Sequence, residues 1–327
     1  MRPLALVVLA AACHHHAPAQ ETPPDAAAPD APTDRWLGIY HEVDAARVQQ
    51  LVTDLAHERY DDAGRQQFRD YWTHYMTALG LTVTPLNYQA PNHPRPGVDL
   101  EAVVPGASAD SVVVIVHYDS IGPQGAETAN PAADDDMTGM AIELETARIF
   151  VAHQAELGYT VRFVAADEEE LGGLAGARAY AADIKMRSQQ QGFALVAAVD
   201  DEQTGWNCHA ANGCGDSVWP AFDVYSCGGL TSVIYDYPAL GDKLAAIASA
   251  YSTLQITRDC IGPNSDHYAM WEIGVPAVVF TEHNAFGNPH FDQNGNDTLA
   301  LIDFDYLVSI ARPAIAFQAS LAGIPQH

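Results

Sequence analysis

Apolar residues recur along this chain with two different periods, and the way these alternate predicts its elements. Val48, Leu51, Val52 and Leu55 fall on one helical stripe; Phe68, Tyr71, Trp72, Tyr75, Met76 and Leu79 fall on a second, closed by Gly80. Short apolar runs then predict strands at LTVTPLNY, VDLEAVVPG and DSVVVIVHYDS. A helix starting near Met137 turns Met140, Leu144, Ala147 and Val151 inward, and a strand follows at YTVRFVAAD. Next come a short helix from Ala175 to Ala182, a strand at FALVAAVDDE, a helix at DKLAAIASAYS, a strand at VPAVVF and a closing helix at DFDYLVSIARPAIAFQASL. Continuous apolar strands alternating with helices predict an α/β fold, a mostly parallel mixed sheet covered by helices on both faces. No repeat or second domain interrupts the pattern, so residues 35–323 read as one domain.

The polar residues collect where the strands stop. VVVIVHYDS ends on His117 and Asp119, VRFVAADEEE on Asp167 to Glu170, and ALVAAVDDE on Asp200, Asp201 and Glu202. Between the first two runs, NPAADDDMTGM places Asp134, Asp135 and Asp136 at a helix start. In open parallel sheets ligands bind at the carboxyl ends of strands. Any one acidic run has a plain explanation, because acids cap helix N-termini and solvate turns. Three runs at three strand ends, with a histidine in line, point instead to bound divalent cations, and mixed His/carboxylate donors suit zinc in a hydrolytic site. His-Glu-x-x-His and Gly-x-Ser-x-Gly are both absent, and Ser120 has no obvious base beside it.

Composition adds two points. Among 327 residues, 15 basic against 42 acidic side chains leave a net charge of −27, which excludes the basic face that nucleic-acid binding needs. The opening MRPLALVVLAAAC reads as a secretory signal over residues 1–13, and its end resembles a bacterial lipobox with Leu9 one place further from the cysteine than usual. Cys13 is thus a candidate lipidation site, and the expected location is exported: a bacterial cell-envelope lipoprotein or a secreted protein. Residues 14–34, rich in Pro, Ala and Asp, read as a linker. Cys208, Cys214, Cys227 and Cys260 fit no zinc-thiolate spacing and are disulfide candidates in an exported chain.

Four motifs in order, VHYDS, ADDDMTG, DEEELGGLAGARAY and SDHYAMWEIGVPAVVF, resemble the secreted di-zinc aminopeptidases, the family of bacterial leucyl aminopeptidases, aminopeptidase Y and glutamate carboxypeptidase II. The likeness runs from about Trp36 to Leu321 and implies a zinc-exopeptidase (phosphorylase/hydrolase-like) architecture. It also implies two zinc ions, with His117 a ligand, Asp119 orienting it, Asp135 bridging, Glu169 the general base and Glu170 a ligand. The family pattern at DEEE is Asp-Gly-Glu-Glu, so Glu168 stands in a glycine place. Glu202, or its rival Asp200, would be a further carboxylate ligand, and His290, or Asp292, the last ligand. Asp266 and His267 look like supporting or substrate-side residues rather than ligands.

The implied function is hydrolysis of peptide substrates by an aminopeptidase, a monomer that meets a membrane only through an N-terminal lipid. Carboxypeptidases and glutaminyl cyclases on the same scaffold are the nearest alternatives. A surface-tethered binding module with a degraded metal site is the alternative of another class.

Overall fold

The computed structural model describes residues 34–90, 95–121, 130–170, 173–208, 221–225, 238–259, 265–289 and 296–327. Three helices open the domain: α1 (Arg35–Glu42), α2 (Ala45–Leu55) and α3 (Asp62–Ala78). Each begins at an aspartate, Asp34, Asp44 or Asp61, whose side chain accepts backbone N–H groups of the first turn. Part of the acidic excess is therefore spent on capping. The helix α1 was not expected. RWLGIYHE carries no long apolar stripe, and its place is set by distant contacts: Trp36 Nε1 donates to the Ile324 carbonyl, and the Arg35 amide to that of Gln326. These contacts carry the domain past residue 323 to the C-terminus.

The strands are β1 (Val83–Tyr88), β2 (Gly97–Val104), β3 (Ser108–His117), β4 (Tyr159–Ala166), β5 (Leu195–Asp201), β6 (Ala221–Tyr225), β7 (Gln255–Asp259) and β8 (Ala277–Glu282). They form one mixed sheet in the order β1-β2-β4-β3-β5-β8-β6-β7. The centre, β4-β3-β5-β8, is parallel throughout, while the β1/β2, β2/β4 and β6/β8 pairs are antiparallel. The remaining helices are α4 (Met137–Ala152), α5 (Ala175–Gln191), α6 (Pro238–Tyr251), α7 (His267–Glu272) and α8 (Phe304–Leu321). Strand residues alternate between two cores. Val112, Val114 and Val116 of β3 join α2, α3, α4, α6 and α8 on one face. Val113 and Ile115 join Tyr180 and Ile184 of α5 and Met270 and Trp271 of α7 on the other.

Helix α5 runs about two turns beyond the short helix expected. Its second half, DIKMRSQQQ, lacks an apolar stripe, but buried Ile184 anchors it and Gly192, at φ +76°, closes it, its N–H donating to the Ser188 carbonyl. No helix among the described residues is long and apolar enough to cross a membrane.

One core group lends itself to a pH test. Glu143, in mid-α4, is fully buried and accepts from Trp72 Nε1 at 3.0 Å. Burial pushes its carboxyl well above the usual range, with the Trp72 bond opposing and the charge of Asp201 adding. The folded chain therefore holds a proton here that the unfolded chain, with a pKa near 4.3, gives up, and stability falls as pH rises above that value. Gln in this place keeps the Trp72 bond and has no charge to bury. Glu143→Gln is expected to melt higher than the parent at pH 8, with the gap closing towards pH 4; equal melting curves at both pH values would contradict the assignment.

Candidate metal centre

The centre is assembled by register. His117, the last residue of β3, pairs with Ala166 of β4, and Ile115 pairs with Asp200 of β5. The three acidic runs therefore leave the sheet side by side. The turn before α4 joins them through Arg59, a guanidinium with no exposed surface. It donates to the Tyr118 carbonyl at 2.6 Å and to those of Pro131 and Ala132 at 3.0 Å each, while its own amide donates to Ser120 Oγ at 2.9 Å. Burial lowers its pKa to about 10, with the carboxylates of Asp297 and Asp119 opposing. A buried cation thus ties the end of β3 to the turn that carries three aspartates.

Those aspartates divide their work. Asp134 accepts the Gly205 amide at 2.7 Å, and Asp136 caps α4 by accepting the Gly139 amide at 3.0 Å. Only Asp135 faces His117, with Oδ1 3.0 Å from Nε2. Asp297 holds the turn in shape, its two oxygens accepting the amides of Asp134 and Asp135 at 2.8 and 2.9 Å. Glycine is required at 139, because a Cβ there would stand 1.8 Å from the Asp201 carbonyl oxygen.

The four acids after β4 also separate. Glu168 has φ +63°, the left-handed region that glycine adopts at no steric cost. Its buried carboxylate pairs with Arg65 and, at 2.8 Å, with Arg95. Asp167 also pairs with Arg65, at 3.2 Å, and burial together with the charge of Asp119 raises its pKa to about 6. Asp119 accepts the amides of Glu169 and Glu170 at 2.9 and 3.3 Å and lies 3.5 Å from His117 Nδ1. One carboxylate thus holds the Glu169–Glu170 turn by hydrogen bonds and lies beside the imidazole, whose Nδ1 makes no hydrogen bond among the described residues. Burial pushes Glu169 well above the carboxylate range, and the charges of Glu202, Asp266 and Asp119 act in the same direction against that of His117.

At the end of β5 the structure separates the two rival carboxylates. Asp200 turns towards α7, accepting the His267 amide at 2.9 Å and lying 3.1 Å from its Nδ1. Glu202 turns inward, with Oε1 3.7 Å from His117 Nε2, and accepts from Ser265 Oγ through its other oxygen. His117, Asp135 and Glu202 each present a ligand atom within 4.8 Å of the others, and all three are buried. Burial raises Glu202 to about 7, the His117 contacts opposing and the charges of Asp135 and Asp200 adding. Burial also works against protonation of His117, yet Asp119, Asp135 and Glu202 outweigh it and hold its pKa well above the ordinary value.

The group fits a metal ion. Ligands about 2.0–2.2 Å from a tetrahedral zinc stand roughly 3.3–3.6 Å from one another, close to the 3.0 and 3.7 Å measured from His117 to the two carboxylates. Alongside, buried Asp266 has no hydrogen-bond partner for either oxygen among the described residues, and burial with the Asp200 charge pushes it well up. Such charge concentration is stable when a cation or protons offset it. Glu170 stands outside the convergent group. His290, Asp292, Cys13, Cys214, Cys227 and Cys260 lie outside the described residues; Cys208 is buried.

Sequence reasoning missed Arg59, Asp297, Ser265 and Gln203. Gln203 follows Glu202 directly and donates from Nε2 to Asp135 Oδ2 at 2.7 Å. Adjacency to a candidate ligand was its only signal. Asp297 could have been suspected from its place in an Asp-Thr pair beside the expected last ligand.

Helices on both faces of a mixed sheet, with a histidine and carboxylates converging at the ends of its parallel strands, define an α/β protein with a candidate divalent-cation centre. Residues 100–318 match Peptidase family M28, two thirds of the chain, and the chain belongs to that family. It is 26% identical over 236 residues to leucine aminopeptidase 1 of Blastomyces gilchristii, covering 70% of this chain and 57% of that protein. The chain thus spans a little over half the length of that curated relative. Its fold resembles a zinc aminopeptidase from Bacillus subtilis (TM-score 0.68, 12% identity, 85% and 95% of the two chains). It resembles a glutaminyl cyclase from Macrostomum lignano as well (TM-score 0.69, 17% identity, 91% and 95%). Those likenesses bear on fold alone, since the scaffold serves both kinds of protein.

Proposed function

We propose that this chain is a zinc-dependent aminopeptidase that hydrolyses the N-terminal peptide bond of peptide substrates. The observation that carries the reading is the convergence of His117, Asp135 and Glu202, with Glu169 held beside them by Asp119. His117, Asp135 and Glu202 would hold one ion, and Glu170 with His290 or Asp292 a second. Bound zinc would supply Lewis acidity, lowering the pKa of water and stabilising charge on the carbonyl oxygen. The chain's own residues do the rest. Glu169 accepts a proton from the attacking water as the carbon–oxygen bond forms, then returns it to the amine nitrogen as the carbon–nitrogen bond breaks. Asp119 holds the turn of the base and lies beside the imidazole. The expected setting is extracytoplasmic: export by the N-terminal segment, lipid at Cys13 and disulfides among the four later cysteines, in a monomer.

The chelated and zinc-reloaded protein, assayed on aminoacyl-anilides, tests this directly. Zinc-dependent release of the anilide is expected, with N-acetylated anilides untouched. Cleavage of C-terminal residues instead would move the assignment to a carboxypeptidase, and cyclisation of N-terminal glutamine to a cyclase. A chain that binds no zinc and transforms none of these substrates would be a binding module.

A further inference from the structure

Resting on that zinc reading, we propose that Gln203 makes the two metal places unequal: the ion at His117–Asp135–Glu202 binds first and tightly, and a second binds only by displacing the Gln203 amide from Asp135. A carboxylate joins two ions by giving one oxygen to each. Here Asp135 Oδ1 faces His117 Nε2 at 3.0 Å, while Oδ2 accepts from Gln203 Nε2 at 2.7 Å. The orientation of the amide follows from chemistry. Turned over, it would set its carbonyl oxygen against a carboxylate oxygen, acceptor against acceptor. An amide NH2 has no lone pair to offer a metal, so in this orientation it competes with the second ion for Oδ2.

The chain is built to aim this side chain. Gln203 is 5% exposed and sits at φ +39°, an unusual conformation for a residue with a Cβ. Three bonds secure its backbone: its amide donates to Asp136 Oδ1 at 3.2 Å, and its carbonyl accepts from the Glu282 amide at 2.7 Å and from Thr281 Oγ1 at 2.9 Å. The same Asp136 caps α4 one residue beyond Asp135, so amide and carboxylate are fixed to a common brace. The side chain is less secure, because Oε1 has no hydrogen-bond partner among the described residues. A single charge-assisted bond therefore holds the amide on Asp135. That is enough to weaken a competing ion without excluding it, by about tenfold to a hundredfold for a hydrogen bond to a charged group.

The test is a zinc titration of the chelated full chain by calorimetry, with bound zinc counted by mass spectrometry after desalting. The parent is expected to retain one zinc through desalting and to bind a second at least about tenfold more weakly. Gln203→Met, close in shape but without the donor, should raise affinity for the second ion about tenfold to a hundredfold, while the first ion, which loses an outer partner of its ligand Asp135, is held no more tightly than in the parent. Gln203→Asn, whose shorter amide falls back from Asp135, should do the same and carries the test if the methionine variant folds poorly. Equal affinities for two ions in the parent would overturn the proposal. So would variants that melt lower yet bind the second ion no better, the result of a merely structural role. Failure of every form to bind zinc would remove the metal reading itself and this proposal with it.

Discussion

Glu169→Gln is expected to purify with the metal content of the parent and to hydrolyse aminoacyl-anilides about 10²–10⁴-fold more slowly, the usual contribution of a positioned acid–base group. The amide matches the carboxylate in shape, so the backbone bond that fixes this residue, from its own amide to Asp119, is retained. Only the ability to take a proton is lost. Burial and neighbouring charges already push the Glu169 carboxyl well up, so an uncharged amide relieves rather than disturbs the packing. The loss should fall on kcat with KM little changed, because a base in the proposed role would act on the proton of the attacking water and not on the bound peptide. Steady-state kinetics beside a zinc count separate the cases. Full activity with full metal would move the base elsewhere, and loss of metal would make Glu169 a ligand.

The second large effect is expected at the other end of the same brace. His117→Ala should lose the tightly held zinc and with it all chelator-sensitive activity. The imidazole is the one nitrogen donor of the convergent group, and Asp119 at 3.5 Å from Nδ1 gives it the outer partner that ligating histidines keep. Removing only such an outer partner typically costs about 10–100-fold in metal affinity, so losing the ligand should cost more than about a hundredfold. Asp135 and Glu202 would then face each other with no cation-forming group between them. Circular dichroism guards against a folding artefact, and the affinity is read by competition with a chelator of known strength. A variant that still retains zinc as the parent does would place the ion away from the end of β3.

Much of this was legible in the chain itself. The strands run straight into their polar ends, so the apolar pattern that marks β3, β4 and β5 also marks where the chemistry begins. Less regular elements were hidden. The strands β6 (Ala221–Tyr225) and β7 (Gln255–Asp259) are short and mix polar with apolar residues; β6 pairs with β8, and β7 with β6. Their formation is decided across the sheet, where no local signal exists. DEEE shows both limits. The excess of acids was visible, but the partners of Glu168 and Asp167 were not, for Arg65 lies about a hundred residues earlier, on α3.

The choice between Asp200 and Glu202 is of the same kind. Two places apart on a strand, they would share a face, and nothing local separates them. The regular strand ends at Asp201, and the backbone then turns at Gln203, so the pleat that equates the two positions no longer applies. His267 takes Asp200 for itself, which leaves Glu202 to face His117. The sequence by itself determined the α/β class, the order of the central elements and a chemistry of one histidine among carboxylates, since periodicity and residue type are local properties. Which carboxylate faces the imidazole, which caps a helix and which meets an arginine or the Gln203 amide was decided only in the tertiary structure. The direction of a side chain beyond a strand's end depends on partners as distant as Asp297 is from Asp135, 162 positions along the chain.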